Sequence, residues 1–256
     1  MSPADSAAGG GDAPGGVVAD QELADDFCLS DAQADALLQG APWRRFVVLG
    51  DSVAQGVYEP LDGYRSVSWP ERVRDALARQ QPRLAYLNLA RRGLRTREIR
   101  EQQLEQAVSF RPDLAVVLAG GNDLLVRHFD PSKVEGNLDE IVGGLTEVGA
   151  DVVTGTLYRI TRALELPKEF GDQLDARLSP LFELIRRVAN RHQTLHIDYD
   201  QLAVCAEANL YASDFQHGSA RGQAVAASGV IHRLGQKLRG PELDTPAVRW
   251  PPPASA

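Results

Sequence analysis

The chain has 256 residues, of which 43% are hydrophobic and 24% are charged. These values are typical of a globular protein, so they exclude a fibrous chain and a chain that is disordered throughout. The formal net charge of −8 and the pI near 5.2 argue against a surface that binds nucleic acid or an anionic membrane. Cys28 and Cys205 lie far apart in the sequence and indicate no disulfide framework, which favours a reducing, cytoplasmic location.

The two ends of the chain differ in composition from the middle. Residues 1–18 are rich in Gly, Ala, Pro and Asp, and residues 240–256 end in "PPPASA", so we expect a flexible tail at each end that adds little to the core. The start of the chain lacks the basic and apolar stretches of a secretion signal or a transmembrane segment. Residues 19–43 contain "LSDAQADALLQG", in which Ser30 suits a helix N-cap and Gly40 a helix end, so we expect a helical extension there.

Residues 44–239 alternate short apolar runs with longer segments of helical period, and we expect them to form one domain. The predicted strands are "RFVVLG", "LAYLNLA", "DLAVVLAG", "DVVTGTL" and "TLHIDYD". The predicted helices are "WPERVRDALARQ", "TREIREQQLEQAVSF", "DPSKVEGNLDEIVGGLTEVG", "DQLDARLSPLFELIRRVANRH" and "SARGQAVAASGVIHRLGQKLR". Because the strands are apolar at nearly every position, the predicted fold class is α/β, a three-layer α/β/α sandwich with a central, mostly parallel five-stranded sheet.

The loop after the first predicted strand contains Asp51 and Ser52 in the stretch "LGDSVAQG". In parallel sheets, ligands bind at the carboxyl ends of the strands, so this loop is placed for function. It matches neither a dinucleotide-binding fingerprint nor a phosphate-binding loop, and it lacks the G-x-S-x-G pattern. Ser52 could therefore be a simple helix cap or a nucleophile, whereas Asp51 and Asp123 are expected to hold loop backbones.

The loops after the second and third predicted strands contain possible hydrogen-bond donors. Gly93 precedes a helix that Thr96 is expected to cap, and Asn122 lies in the stretch "AGGNDLL". An asparagine at a strand end usually forms a turn. However, a side-chain amide and a glycine N–H beside Ser52 are also the fixed donors that a developing oxyanion needs.

The last candidate loop reads "YASDFQHGSARGQ" and places Asp214 three residues before His217. One tight turn can bring the carboxylate to one ring nitrogen while the other nitrogen faces outward. This is how an acid orients an imidazole that acts as a base toward a serine. A His beside an Asp is often only a surface pair. Here, however, four candidate groups each follow a different strand: a serine, a glycine, an asparagine and the Asp-x-x-His pair. Their coincidence favours a catalytic site.

At these positions the sequence resembles the SGNH superfamily of hydrolases, also called the GDSL-type esterases and lipases. The matching blocks occur in the family's order and together span residues 46 to 235. They are "GDS" at 50–52, Gly93 in "RRGLRT", "GGND" at 120–123, and the Asp-x-x-His block at 214–217.

The resemblance implies a flavodoxin-like sheet and a role for each matching residue. Ser52 would be the nucleophile, His217 the general base, and Asp214 the residue that orients the base. The N–H groups of Ser52 and Gly93 and the side chain of Asn122 would form the oxyanion hole.

Two departures from the family pattern occur near these residues. Gly218 follows His217 where many members have proline, which leaves every reacting group in place. Arg91 and Arg92 precede Gly93 where many members have small residues, so the arginines could narrow the pocket or favour an acidic substrate.

The resulting hypothesis is hydrolysis of a small carboxylic ester or thioester through an acyl-enzyme intermediate. Acyl transfer to an alcohol, amine or sugar acceptor would use the same groups and stays open. A binding module that no longer reacts is a further alternative, and so is a metal hydrolase that uses Asp214 with His217 or His196 with Asp198. Too few His and Cys converge for a filled metal site, so we expect no metal and no cofactor, and neither nucleic acid nor a membrane as a partner.

Overall fold

The computed structural model describes residues 20–164, 167–240 and 250–252. Its helices are α1 (Asp20–Ala24), α2 (Asp31–Leu38), α3 (Ser52–Gln55), α4 (Trp69–Gln80), α5 (Thr96–Ser109), α6 (Pro131–Glu147), α7 (Lys168–Arg191) and α8 (Ala220–Arg239). Its strands are β1 (Arg45–Gly50), β2 (Tyr58–Glu59), β3 (Ala85–Asn88), β4 (Leu114–Leu118), β5 (Asp151–Gly155), β6 (Leu195–Ile197) and β7 (Gly218–Ser219). Within these ranges, no helix is both long and apolar enough to cross a membrane.

Five strands form one parallel sheet in the order β3-β1-β4-β5-β6. This is the flavodoxin-type order, and the predicted α/β fold is confirmed, with every strand pair of the sheet parallel. The two-residue strands β2 and β7 pair in a second small sheet. They were not predicted, because two residues are too few to show an alternating pattern.

Apolar side chains cover both faces of the central sheet. In β1, Phe46 and Val48 point into a core shared with α2, α4 and α8. Val47 and Leu49 point into a second core shared with α5, α6 and α7. Successive residues of a strand face opposite sides of the sheet, so a strand that is covered on both sides is apolar throughout.

The short helix predicted before the domain is α2, which is packed onto the domain rather than set apart from it. The Ser30 side chain accepts a hydrogen bond from the Gln33 N–H, and the Gln33 side chain accepts one from the Ser30 N–H, forming a capping box. Leu37 and Leu38 are fully buried in the core that α2 shares with α4 and α8.

Trp250, near the end of the chain, is buried. Its indole nitrogen donates to the main-chain oxygen of Phe27 at 3.0 Å, and its ring packs edge-on against Tyr199. The expectation that the C-terminal tail adds little to the core is therefore wrong at this residue. The predicted N-terminal tail, residues 1–18, lies outside the described residues.

Candidate active site

The loops that contain the sequence-predicted site residues meet at the carboxyl edge of β3, β1 and β4. Ser52 follows β1, Asn122 follows β4, and Gly93 follows β3. These three strands are neighbours in the sheet, with β1 in the centre. In this strand order the winding reverses between β1 and β4, which opens a crevice at that edge.

The backbone before Ser52 is fixed by a residue that the sequence analysis missed. Gln103 is buried on α5, where its amide donates to the Gly50 oxygen and accepts from the Gly50 N–H, both at 2.9 Å. A Cβ atom at Gly50 would lie 2.0 Å from the oxygen of Leu118, so only glycine fits there. Gln103 lies four residues from Ile99 and four from Ala107 on the buried face of α5, and that spacing is the signal that could have identified it.

Asp51 caps the short helix α3 that begins at Ser52. Its carboxylate accepts a hydrogen bond from the Val53 N–H at 2.9 Å, as expected of a residue that holds the loop backbone. Burial raises the pKa of Asp51 to about 7, although the bond from Val53 lowers it, and the negative charge of Asp123 adds to the increase. Ser52 itself is buried.

His217 lies between Ser52 and Asp214. Its Nε2 is 2.8 Å from the Ser52 Oγ, and its Nδ1 is 2.6 Å from an oxygen of Asp214. The other Asp214 oxygen accepts from the N–H groups of Gln216 and His217, both at 3.0 Å. Partial burial acts to raise the pKa of Asp214, but these hydrogen bonds outweigh it and lower the pKa to about 2. An ionised Asp214 can only accept a hydrogen bond, so the ring proton lies on Nδ1 and Nε2 can accept from the serine hydroxyl.

The loop that carries His217 is held by main-chain contacts. The His217 oxygen accepts from the Ala212 N–H at 2.9 Å, and β7, directly after His217, pairs with β2. Phe215, between Asp214 and His217, has a φ of 55°, a left-handed conformation that is uncommon outside glycine and asparagine. These contacts make the tight turn that the Asp-x-x-His spacing predicted.

Asn122 lies in the same cavity as Ser52 and His217. Its side-chain amide donates to the main-chain oxygen of Leu94 at 3.0 Å, which fixes the amide plane and leaves a second N–H. Gly93 has a φ of 83°. Among the described residues, the lining of the cavity does not include Gly93, although its neighbour Leu94 is bonded to Asn122.

Thr96 is the first residue of α5, and Arg95 occupies the N-cap position, so the expectation that Thr96 caps this helix is wrong. The Thr96 N–H and hydroxyl both donate to the Asp123 carboxylate at 2.9 Å. A carboxylate from the loop after β4 therefore accepts from the first residue of α5, while the Glu98 side chain of the helix itself accepts from the Arg95 N–H at 2.7 Å. Asp123 holds this backbone, as predicted.

The residues considered for a metal site have protein partners. His196 Nδ1 lies 2.9 Å from the Thr154 hydroxyl, and Asp198 accepts from Arg186 at 2.6 Å. In the part of the chain that the structure describes, no group of three or more His, Cys, Asp or Glu side chains could hold a metal ion.

A buried hydroxyl that bonds to an imidazole, itself bonded to a carboxylate, is the side-chain arrangement of serine hydrolases. The comparison with protein families agrees with this class, since residues 48–225 match the model of the GDSL-like lipase/acylhydrolase family. The chain therefore belongs to this family, as its motifs predicted, and is an esterase of the GDSL type. A search of curated protein sequences gives no match.

Solved structures of a hydrolase and of two esterases share the fold at low sequence identity. LAE5, an alpha/beta hydrolase enzyme from the metagenome of Lake Arreo, Spain, is 22% identical with a TM-score of 0.61, covering 77% of this chain and 96% of that one. The psychrotrophic esterase EstA from Pseudoalteromonas sp. is 15% identical with a TM-score of 0.58, covering 76% and 98%. Axe2, an acetylxylan esterase from Geobacillus stearothermophilus, is 17% identical with a TM-score of 0.58, covering 77% and 95%.

Proposed function

We propose that the protein cleaves small carboxylic esters or thioesters through a Ser52-His217-Asp214 triad and an acyl-enzyme intermediate. The observation that carries this proposal is the continuous pair of hydrogen bonds from the Ser52 hydroxyl through the His217 ring to Asp214, at 2.8 and 2.6 Å. Family membership supports the ester chemistry. The cytoplasmic location stays a prediction from composition.

The reaction starts with the serine hydroxyl. A neutral serine is a weak nucleophile, so His217 Nε2 takes the Ser52 proton as Oγ bonds to the carbonyl carbon. The ionised Asp214 stabilises the imidazolium that forms. His217 then gives the proton to the leaving alcohol or thiol as the tetrahedral intermediate collapses to an ester of Ser52. A water molecule, deprotonated by His217 in the same way, releases the acid and restores the serine.

The negative charge on the tetrahedral oxygen requires donors that are in place before the reaction. We assign this role to the Asn122 side chain and to the N–H groups of Ser52 and Gly93. The bond from the Asn122 amide to Leu94, at 3.0 Å, supports the assignment because it orients the amide before any substrate arrives. Gly93 enters this set as the residue before Leu94 in the same loop.

Replacing Asn122 by alanine tests the oxyanion assignment. We expect kcat to fall by about 10²- to 10³-fold, the usual loss for one oxyanion donor, with a smaller change in KM. Steady-state kinetics on p-nitrophenyl butyrate measure both constants. An unchanged kcat in a folded variant removes Asn122 from the site.

Replacing Ser52 by alanine tests the function itself. Turnover of p-nitrophenyl butyrate is expected to fall by at least about 10³-fold, while the circular dichroism spectrum and the melting temperature stay those of the unmodified protein. Ser109→Ala serves as the matched control, since Ser109 is exposed at the far end of α5. A folded Ser52→Ala variant that keeps full activity contradicts the proposal.

A further inference from the structure

The cavity beside Ser52 indicates which acyl group the enzyme accepts. Resting on the proposed function, we propose that the substrate's acyl group is an unsubstituted hydrocarbon chain of medium length, held in an apolar cavity between α7, α8 and the loop after β5. The cavity has a volume of about 330 Å³, and Ser52 and His217 lie in its wall.

The volume is larger than an acetyl group requires. Liquid water occupies about 30 Å³ per molecule, so the cavity accommodates on the order of ten groups of methylene size. A carbonyl group with a chain of about six to ten carbons fits this space.

The wall away from the triad is mainly aliphatic. The loop after β5 contributes Leu157 and Ile160, and α7 contributes Leu174 and Leu178. Leu118, at the end of β4, lies on the same cavity. Contact with these side chains removes a hydrocarbon chain from water, which stabilises binding by about 0.8 kcal/mol for each buried methylene.

The aromatic residues in the wall turn their polar atoms into the protein. The hydroxyls of Tyr158 and Tyr199 donate to main-chain oxygens of α8 at 2.7 and 2.6 Å. The indole nitrogen of Trp69 donates to the main-chain oxygen of Val53 at 2.7 Å. Each ring is therefore held in place by its polar atom and presents carbon atoms to the cavity.

Two polar side chains of the wall, Arg177 and Thr156, donate hydrogen bonds to the protein itself. The Arg177 guanidinium donates to the main-chain oxygens of Leu124 and Val126 at 2.8 and 3.1 Å. The Thr156 hydroxyl donates to Asp200 at 2.8 Å. A hydroxylated acyl chain that lies against the leucines and Ile160 would lose its water without gaining a partner there, and that loss is costly.

The mouth of the cavity has an apolar rim. Leu125 and Phe215 both belong to the wall, yet they are 70% and 54% exposed. Their apolar surface extends the path of a chain that is longer than the buried space.

A series of p-nitrophenyl esters from acetate to palmitate tests the proposal on the unmodified protein. We expect kcat/KM to rise by up to about fourfold for each added methylene, to peak near octanoate or decanoate, and to fall for palmitate. The ester of 8-hydroxyoctanoate is expected to react at least about tenfold more slowly than octanoate, because its hydroxyl finds no partner. Fastest turnover of acetate, or equal rates for the hydroxylated and plain octanoates, would overturn the proposal.

A variant that fills the cavity separates the acyl site from the catalytic groups. Leu174 is partly buried on α7 and lines the cavity, so the larger side chain of Leu174→Trp can project into the cavity. We expect the ratio of kcat/KM for octanoate to kcat/KM for acetate to fall at least about tenfold, as for the loss of about two buried methylenes. Gln173→Trp, at the next and exposed position, is the control and should not change this ratio.

The two proposals fail in different ways. An equal decrease in kcat/KM for acetate and octanoate in Leu174→Trp contradicts the proposed acyl site but not the proposed triad. Acetate turnover that survives Ser52→Ala contradicts the triad instead.

Discussion

Ser52 and His217 lie in two different loops, and each loop contains an aspartate, Asp51 or Asp214. The surroundings of these two aspartates differ. Asp51, next to the serine, is 1% exposed, and burial raises its pKa to about 7. The Asp214 side chain, beside the histidine, is 43% exposed, and its hydrogen bonds lower its pKa to about 2 despite the opposing effect of burial. The pKa of a carboxyl group thus depends on the number of hydrogen-bond donors that contact it as much as on its burial.

The difference assigns separate roles to the two residues. Asp51 needs only an oxygen that accepts from the Val53 N–H, and a neutral side chain can supply one. Asp214 has to be ionised, because its charge fixes the His217 tautomer and stabilises the imidazolium. Changing each aspartate to asparagine therefore distinguishes a loop-holding residue from a catalytic one.

The largest effect is expected for Asp214→Asn. The amide has the same size, but it can donate to Nδ1 and so favour the wrong tautomer, and kcat on p-nitrophenyl butyrate should fall by about 10²- to 10⁴-fold. Asp172→Asn, an exposed carboxylate on α7, is the control. A kcat of Asp214→Asn within about tenfold of that of the unmodified protein would contradict a catalytic role for the Asp214 charge.

A smaller effect is expected from Gln103→Leu, which removes the side chain that holds the backbone before Asp51. The Gly50 N–H then lies buried without its acceptor, which should lower the free energy of unfolding by about 1–3 kcal/mol. Urea denaturation followed by circular dichroism measures the change. Gln102→Leu, at the adjacent exposed position, should leave stability nearly unaltered, and equal stability of the two variants would argue that Gln103 does not hold this loop.

The smallest effect is expected for Asp51→Asn, and it concerns pH. In the folded protein Asp51 keeps its proton up to a pKa of about 7, whereas in the unfolded chain the carboxyl loses it near 3.8. Because the folded state binds more protons between these values, this group makes unfolding easier as pH rises from about 4 to 7. Asparagine removes that dependence.

The stability of Asp51→Asn relative to the unmodified protein should therefore increase between pH 5 and pH 8. Unfolding in urea at the two pH values measures it. A difference that is the same at both pH values contradicts a raised pKa at Asp51.

The sequence predicted the regular parts of the fold closely. The segment predicted as a helix from Trp69 to Gln80 matches α4, because its apolar residues repeat at helical spacing and Pro70 lies in the first turn, where proline is tolerated. By contrast, α7 begins at Lys168, before the apolar period that indicated it. The spacing of apolar residues indicates the buried face of a helix, but it does not identify a first turn that is mostly exposed.

Features that depend on distant partners were harder to predict. Trp250 is buried through a bond to Phe27 and a ring contact with Tyr199, and nothing local in a proline-rich segment indicates this. Ser52, Asn122 and His217 were identified because their motifs occur in a known order. Gln103 belongs to no such motif, so its contact with Gly50 emerged only from the structure.

Labelling with a p-nitrophenyl alkylphosphonate tests the central claim most directly, because the probe reacts only with an activated nucleophile. We predict that one equivalent binds per chain, that peptide mass spectrometry locates it on Ser52, and that esterase activity is lost in proportion to labelling. Asp214→Asn should be labelled far more slowly. A label on another residue, or full ester turnover by protein modified at Ser52, would contradict the proposed mechanism.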